Sequence, residues 1–265
     1  MNIPSVDIGV FGGSGFYDLL DDAQSVTIET PYGAPSGIIM VGTIGEHTVA
    51  FLPRHGAAHD LPPHKIPYRA NLWAMKQLGA TRIIAPCACG SLQPDVGLGD
   101  FVILDQFVDR TNGRPDTFYN GPDVHHVSSA DPYCPDLRAI AAQSCTKLGI
   151  PHHESGTVVV IQGPRFSTRA ESRWFAAQGW EVINMTQYPE AYLARELDMC
   201  YSGIALITDF DAGVEHDEAV VNADVARVFA ENLDKVKALL LDMIPNTATH
   251  AVDCGCNEAT LYSKM

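Results

Sequence analysis

Asp209 and Asp211 flank Phe210 at the end of an apolar run and have more chemistry to offer than any other pair in the chain. If the backbone stays extended there, residues two apart point to the same side. A carboxyl group partly withdrawn from water keeps its proton and can donate it to a ring nitrogen, whereas an ionised one accepts from an amine. Two solvated aspartates that start the next element are the plainer alternative. Arg54-His55-Gly56 closes a second apolar run, residues 49–53. Arginine forks onto phosphate or carboxylate, and a neighbouring histidine adds a donor whose charge changes near neutrality. A solvated strand end is the alternative here. Gly12-Gly13-Ser14-Gly15 is either an anion nest or a tight turn. Its GxGxxG register fails at Asp18, which disfavours a nicotinamide-linked oxidoreductase.

Other clusters share one property: they follow strand-like runs, where α/β sheets place their ligands. In Arg165-Phe166-Ser167, Phe166 could stack on a planar group and Ser167 hydrogen-bond to it, or Phe166 could plug the core. Asn184-Met185-Thr186 ends another such run. Cys87 and Cys89 form C-x-C without a basic neighbour in sequence, and read as small buried packing residues whose corner, 87–91, can turn amides toward a ligand. His59 and His64 in a proline-rich loop do not define a metal set. The tail pattern His250-x-x-x-Cys254-Gly-Cys256 lacks a further ligand, so the expectation is no metal. Residues 215–218 read as a solvated helix start, and His125-His126 and His152-His153 as loop surface.

Elements that position these residues follow from periodicity. Strands are expected at residues 7–11, as a hairpin over 37–54, and at 82–86, 101–104, 157–161, 181–183 and 200–208. Helices are expected at 68–78, 137–148, from a Thr168–Glu171 capping box to about 179, at 189–197 and at 224–241. Residues 109–135 lose periodicity and read as a long ordered loop over a site or a partner contact. The alternation predicts one α/β domain with helices on both faces and a mixed sheet, followed by a polar, frayed tail.

The chain has 265 residues, with 17 Lys and Arg against 32 Asp and Glu, and a net charge of −15. That balance argues against bulk nucleic-acid binding, although a few local arginines can still hold a small anion. No apolar run is long enough to span a membrane, and the first residues lack the basic region of a secretion signal. Seven scattered cysteines, an odd number, fit reduced thiols and a cytoplasmic location.

Taken in order, these clusters resemble the trimeric purine nucleoside phosphorylases. The resemblance runs from Val10-Phe11-Gly12-Gly13-Ser14-Gly15 through Phe51-Leu52-Pro53-Arg54-His55-Gly56 and Tyr68-Arg69-Ala70-Asn71-Leu72-Trp73-Ala74. It continues through Ala88-Cys89-Gly90-Ser91-Leu92, Asp105–Thr111, Gly163–Glu171 and Ile183-Asn184-Met185-Thr186 to the final helix. It implies a three-layer α/β/α nucleoside phosphorylase domain over 1–245, with a central mixed sheet and a tail over 246–265. It also implies a homotrimer in which a segment around 124–132, with His125 or His126, completes a neighbour's pocket. By the same likeness Ser14, Arg54, His55, Ala88 and Thr186 match phosphate-binding positions, Met185 lies against the ribose, and His59 is near the 5′ end. Phe166 and Ser167 match the purine pocket, and Asp209 and Asp211, on either side of Phe210, face the 6-amino group and N7. Cys87 stands where related enzymes place threonine near phosphate, and Asn222 or Ala223 where they place an aliphatic residue.

The implied reaction is phosphorolysis of 5′-methylthioadenosine, with Asp211 assisting adenine departure, Asp209 and His55 in support, phosphate as co-substrate and no cofactor. Adenosine, other purine nucleosides and 5′-halogenated deoxyadenosines are alternative substrates, and a purine-binding protein without turnover is a separate class of function.

Overall fold

The computed structural model describes residues 5–12, 14–214, 219–249 and 253–265. In chain order the strands are β1 (Ile8–Gly12), β2 (Asp21–Val26), β3 (Ile39–Ile44), β4 (His47–Pro53), β5 (Arg82–Ser91) and β6 (Phe101–Ile103). They continue with β7 (Gln106–Arg110), β8 (His152–His153), β9 (Thr157–Ile161), β10 (Val182–Asn184) and β11 (Cys200–Phe210). The helices are α1 (Tyr68–Gln77), α2 (Pro135–Leu148), α3 (Arg169–Ala177), α4 (Gln187–Glu196) and α5 (Asn222–Thr249).

All eleven strands join one mixed sheet in the order β2-β3-β4-β1-β5-β10-β9-β7, with β11 on the other side of β5 and β6 and β8 beyond it. β4, β1, β5 and β11 run parallel, so their carboxyl ends open on one edge. The expected hairpin is β3–β4, turned at Gly45 with a φ of 61°.

Alternation along the central strands divides the core into two layers. Ile83, Ala85, Cys87 and Cys89 of β5, and Tyr201, Ala205 and Ile207 of β11, meet Leu72 and Met75 of α1 and Ala191 and Leu193 of α4. Ile84, Ile204 and Leu206 face the opposite way, toward Leu137 and Ile140 of α2 and Leu239 and Met243 of α5. Helices on both faces of a mixed sheet give the three-layer α/β/α architecture, as expected. The capping box on α3 is present, with Thr168 accepting from Glu171 and Glu171 reaching back to the N-cap amide.

Three local expectations are corrected. β5 does not turn at Cys87 but runs on to Ser91, because β11 pairs with it over its whole length. α5 continues past residue 241 and through Pro245, carried by the buried Met243 and Ile244. The tail is docked rather than frayed: Met265 donates to the Val124 carbonyl, His126 to that of Ser263, and Thr260 binds Asp198. His125 is held within the chain, its Nδ1 2.7 Å from Ser263 Oγ and its ring stacked on Tyr119. The exposed β2 escapes periodicity because hydrogen bonds to β3, and no apolar face, hold it. Among the described residues no helix is long and apolar enough to cross a membrane.

Candidate active site

A cleft of about 870 Å³ lies at the carboxyl ends of β1, β4, β5 and β11. That volume suits a ligand the size of a nucleoside with a small anion. Its walls include Arg54, His55 and His59 after β4, Cys87 to Gly90 on β5, Asn184 to Thr186 at the end of β10, and Asp209 and Asp211 at the end of β11. Phe166 and the first turns of α5, with Asn222, Val225, Ala226 and Phe229, complete it.

Arg54 is almost fully buried, and its fork is already engaged. Nε donates to Glu190 Oε2 at 2.7 Å and Nη2 to Glu190 Oε1 at 2.9 Å. Further donors go to the Pro86 and Phe11 carbonyls. A guanidinium has five N–H groups, so four placed bonds leave one on Nη1. The second Glu190 oxygen also accepts from Tyr201 at 2.7 Å. Burial alone opposes the charge on Arg54, but the Glu190 carboxylate and its hydrogen bonds more than offset that and hold the guanidinium charged. This fixed cation beneath the cleft depends on Glu190 and Tyr201, which sequence reasoning missed. An acid inside a helix and a tyrosine inside a strand carry no local signal of a shared partner.

His55 differs from its expectation. Burial pushes its imidazole down to about 4, the Leu61 carbonyl opposing and the Arg54 charge assisting, so the ring is neutral near pH 7. Nδ1 is 2.9 Å from the Leu61 carbonyl, which can only accept. The proton therefore sits on Nδ1 and leaves Nε2 as an acceptor. His59 stacks on the ring at 4.4 Å between centroids.

Cys87 is a small buried core residue as expected, but the fold also brings the Arg54 charge to bear on it, which the sequence does not show. Its sulfur accepts from Gln187 Nε2 at 3.4 Å and Asn184 Nδ2 at 3.5 Å. Its S–H donates to the Ile204 carbonyl at 3.6 Å, and the Cys89 sulfur lies 3.6 Å away. The Cys89 contact and the Arg54 charge lower the Cys87 thiol, with the two amides adding to the effect and burial opposing it.

Asp209 owes its aim to a bulge. Ile207 pairs with Cys89 and Asp209 with Gly90, so two residues of β11 oppose one of β5. The extra residue re-aims the side chain. It points over Gly90, where a Cβ would stand 2.9 Å from Asp209 Oδ2 and 3.1 Å from Ile183. Burial pushes Asp209 up to about 6, against a 2.9 Å bond from the Thr208 hydroxyl and with a smaller push from Asp211. Asp211, just past the strand, is also raised by burial. The Ser172 hydroxyl counters this by donating to Oδ2 at 2.6 Å, and Ser167 and the Ala212 amide act in the same sense. The two carboxyls are thus unequal, Asp209 being the more strongly raised.

Of the residues singled out from sequence, Arg54, His55, His59, Cys87, Ala88, Phe166, Met185, Thr186, Asp209, Asp211 and Asn222 share this one cleft. Ser167 lies just behind it beside Asp211, and Phe210 is outside its lining. The side chain of Ser14 and residues 215–218 and 250 lie outside the described residues.

The "Phosphorylase superfamily" matches residues 7–245. The chain is 54% identical to S-methyl-5′-thioadenosine phosphorylase of Mycolicibacterium smegmatis, over 92% of this chain and 95% of that one. It is 49% identical to a purine nucleoside phosphorylase of Streptomyces coelicolor, over 97% and 95%. Among solved structures, methylthioadenosine phosphorylase from Schistosoma mansoni in complex with adenine superposes with a TM-score of 0.93 at 36% identity, over 98% of this chain and 99% of that one.

Proposed function

The chain belongs to the phosphorylase superfamily, and on that footing we propose that it cleaves 5′-methylthioadenosine with inorganic phosphate to adenine and 5-methylthioribose 1-phosphate. One observation carries the reading. A single cleft joins a fixed arginine cation and strand-end amides to a pair of buried, unequal carboxyls.

Each end of the cleft has its part in the reaction. A phosphate oxygen bonds to C1′ as the C1′–N9 bond breaks, and the departing electron pair spreads over the purine. A proton arriving at N7 stabilises that charge. The sequence reading gave this proton to Asp211. The stronger rise at Asp209 supports Asp209 as its holder, with Asp211, to which the Ser172 hydroxyl donates, facing the 6-amino group. Arg54 offers its remaining N–H to phosphate, joined by amides near Ala88, the Thr186 hydroxyl, Ser14 and the polar Cys87 sulfur. His55 Nε2 accepts from a phosphate P–OH instead of donating. Because these groups are held before substrate arrives, positioning and preorganised electrostatics supply most of the acceleration. Met185 lies against the ribose, and Phe166 borders the base with Ser167 behind it.

Specificity follows from the first turns of α5. Val225, Ala226 and Phe229, with Phe16, make an apolar wall beside Asn222, which favours a methylthio group over a hydroxyl. A phosphorylase needs no bound cofactor for this step, the co-substrate being phosphate. We further read residues 1–245 as the phosphorylase domain and the assembly as a homotrimer. The exposed His126 is the better candidate to reach a neighbouring pocket, since His125 is held by Ser263. The free thiols suit a cytoplasmic protein.

Incubation with methylthioadenosine, with and without phosphate, tests the reading. Adenine and the sugar 1-phosphate are expected only with phosphate. Free methylthioribose without phosphate, preference for inosine, or binding without turnover would each overturn it. Light scattering on the active protein reads the trimer.

A further inference from the structure

Away from the cleft, four cysteines from three separate stretches of chain meet. The sulfurs of Cys134, Cys200, Cys254 and Cys256 all lie within 4.8 Å of one another, and those of Cys200 and Cys254 are 3.5 Å apart. A tetrahedral ion with sulfur ligands at ~2.3 Å requires sulfur–sulfur edges of roughly 3.8 Å. The observed cluster thus needs shifts of no more than about an ångström to close around one ion. All four are free thiols; three are buried and Cys254 is half-exposed, which leaves a path for entry.

The surroundings hold the four ligands in place. Cys134 is the N-cap of α2, and its amide donates to the Tyr201 carbonyl, tying it beside Cys200 at the start of β11. Cys254 and Cys256 flank Gly255, whose φ of 66° turns the chain so that both sulfurs reach the cluster. The tail is anchored on both sides of this turn. The Asp253 amide reaches Asp136 in the first turn of α2, and Thr260 binds Asp198 two residues before Cys200. Cys134, Cys200 and Cys256 belong to the apolar layer beneath α2 and α5, with Cys254 packed against it, but apolar packing alone does not require four sulfurs to converge from a helix cap, a strand start and the tail. A four-sulfur tetrahedral set is the preference of zinc.

We propose that Cys134, Cys200, Cys254 and Cys256 bind one Zn²⁺ as a tetrathiolate that fastens the C-terminal segment to the sheet. On binding, four S–H protons pass to solvent, four Zn–S bonds form, and no electron is transferred. The site is structural. Asp209 lies nine residues along β11 from Cys200, roughly 30 Å at strand spacing, so the ion takes no part in phosphorolysis. The proposed site departs from the sequence expectation of no metal, in which the tail pattern lacks a further ligand.

The full chain, produced in reducing cytosol with zinc present and purified without chelator, provides the test. Elemental analysis should find about one zinc per chain, and X-ray absorption four sulfur neighbours at about 2.3 Å. Cobalt substituted into the wild type should give the visible bands of tetrahedral thiolate cobalt, a readout independent of any variant. Cys254→Ser and Cys256→Ser should lose the ion and lower Tm while leaving KM for methylthioadenosine unchanged. A chain with little zinc would overturn the proposal, whether peptide mapping then finds the four thiols free or joined as disulfides. Cobalt bound without thiolate bands would do the same.

Discussion

Replacing Asp209 by asparagine keeps the side chain's size but removes its ability to hold and release a proton, together with the charge of its ionised form. Burial holds Asp209 at about 6 against an ordinary value of 3.8. At pH 7 about one free enzyme molecule in ten therefore carries the acid, roughly a hundred-fold more than an unperturbed aspartate would provide. If that proton meets N7 as adenine departs, kcat/KM at saturating phosphate should fall about tenfold per unit above pH 6. Asp209→Asn keeps the shape and the hydrogen-bond capacity but cannot transfer a proton. It should lower kcat by about 10²–10⁴ and abolish the limb near pH 6. Stability provides a second reading with a definite sign. Between pH 4 and 6 the native chain keeps a proton that the unfolded chain has lost, so this contribution is complete below about pH 4 and lost as pH rises through 6. The difference is up to about 3 kcal/mol, and the asparagine variant should lack it in urea unfolding at pH 4 and pH 8. Retention of kcat within tenfold, or of the limb by the variant, would refute the assignment; Asp211→Asn is then the comparison.

Glu190→Gln leaves Arg54 buried without its counter-charge and should cost about 3–5 kcal/mol in unfolding experiments, whereas Arg54→Met with Glu190→Leu should recover stability but not phosphate use. Adding a methyl at Gly90 pushes against Asp209 and Ile183; Gly90→Ala should cost about 1–3 kcal/mol and reduce kcat, while Gly97→Ala, whose nearest contact is 3.4 Å, should do neither. Nitrogen NMR of the free enzyme should place the His55 titration near pH 4 with the proton on Nδ1; a midpoint near 6.5 would remove the burial argument.

Much of the fold was legible because apolar periodicity reports on one element at a time. The β3–β4 hairpin, α1 between Pro67 and Gly79, and the Thr168–Glu171 box each carry their own signal within a few residues. β2 and β8 carried none, since edge pairing satisfies their backbones without an apolar face. The end of β5 misled for the opposite reason: small residues resemble a turn, yet β11 pairs with every one of them. α5 likewise outruns a proline that local rules would read as a stop, because its buried face continues beyond it.

Residue types and their order along the chain were enough to single out Arg54, the Asp209–Asp211 pair and a family likeness, since side-chain chemistry is written residue by residue. Only tertiary structure decided how those groups are charged and aimed. Glu190 meets Arg54 across 136 positions of sequence, a bulge against Gly90 sets Asp209, and burial makes His55 an acceptor. The four cysteines at 134, 200, 254 and 256 become one site for the same reason. Ionisation and coordination depend on distance and on exclusion of water, and neither quantity exists until the chain has folded.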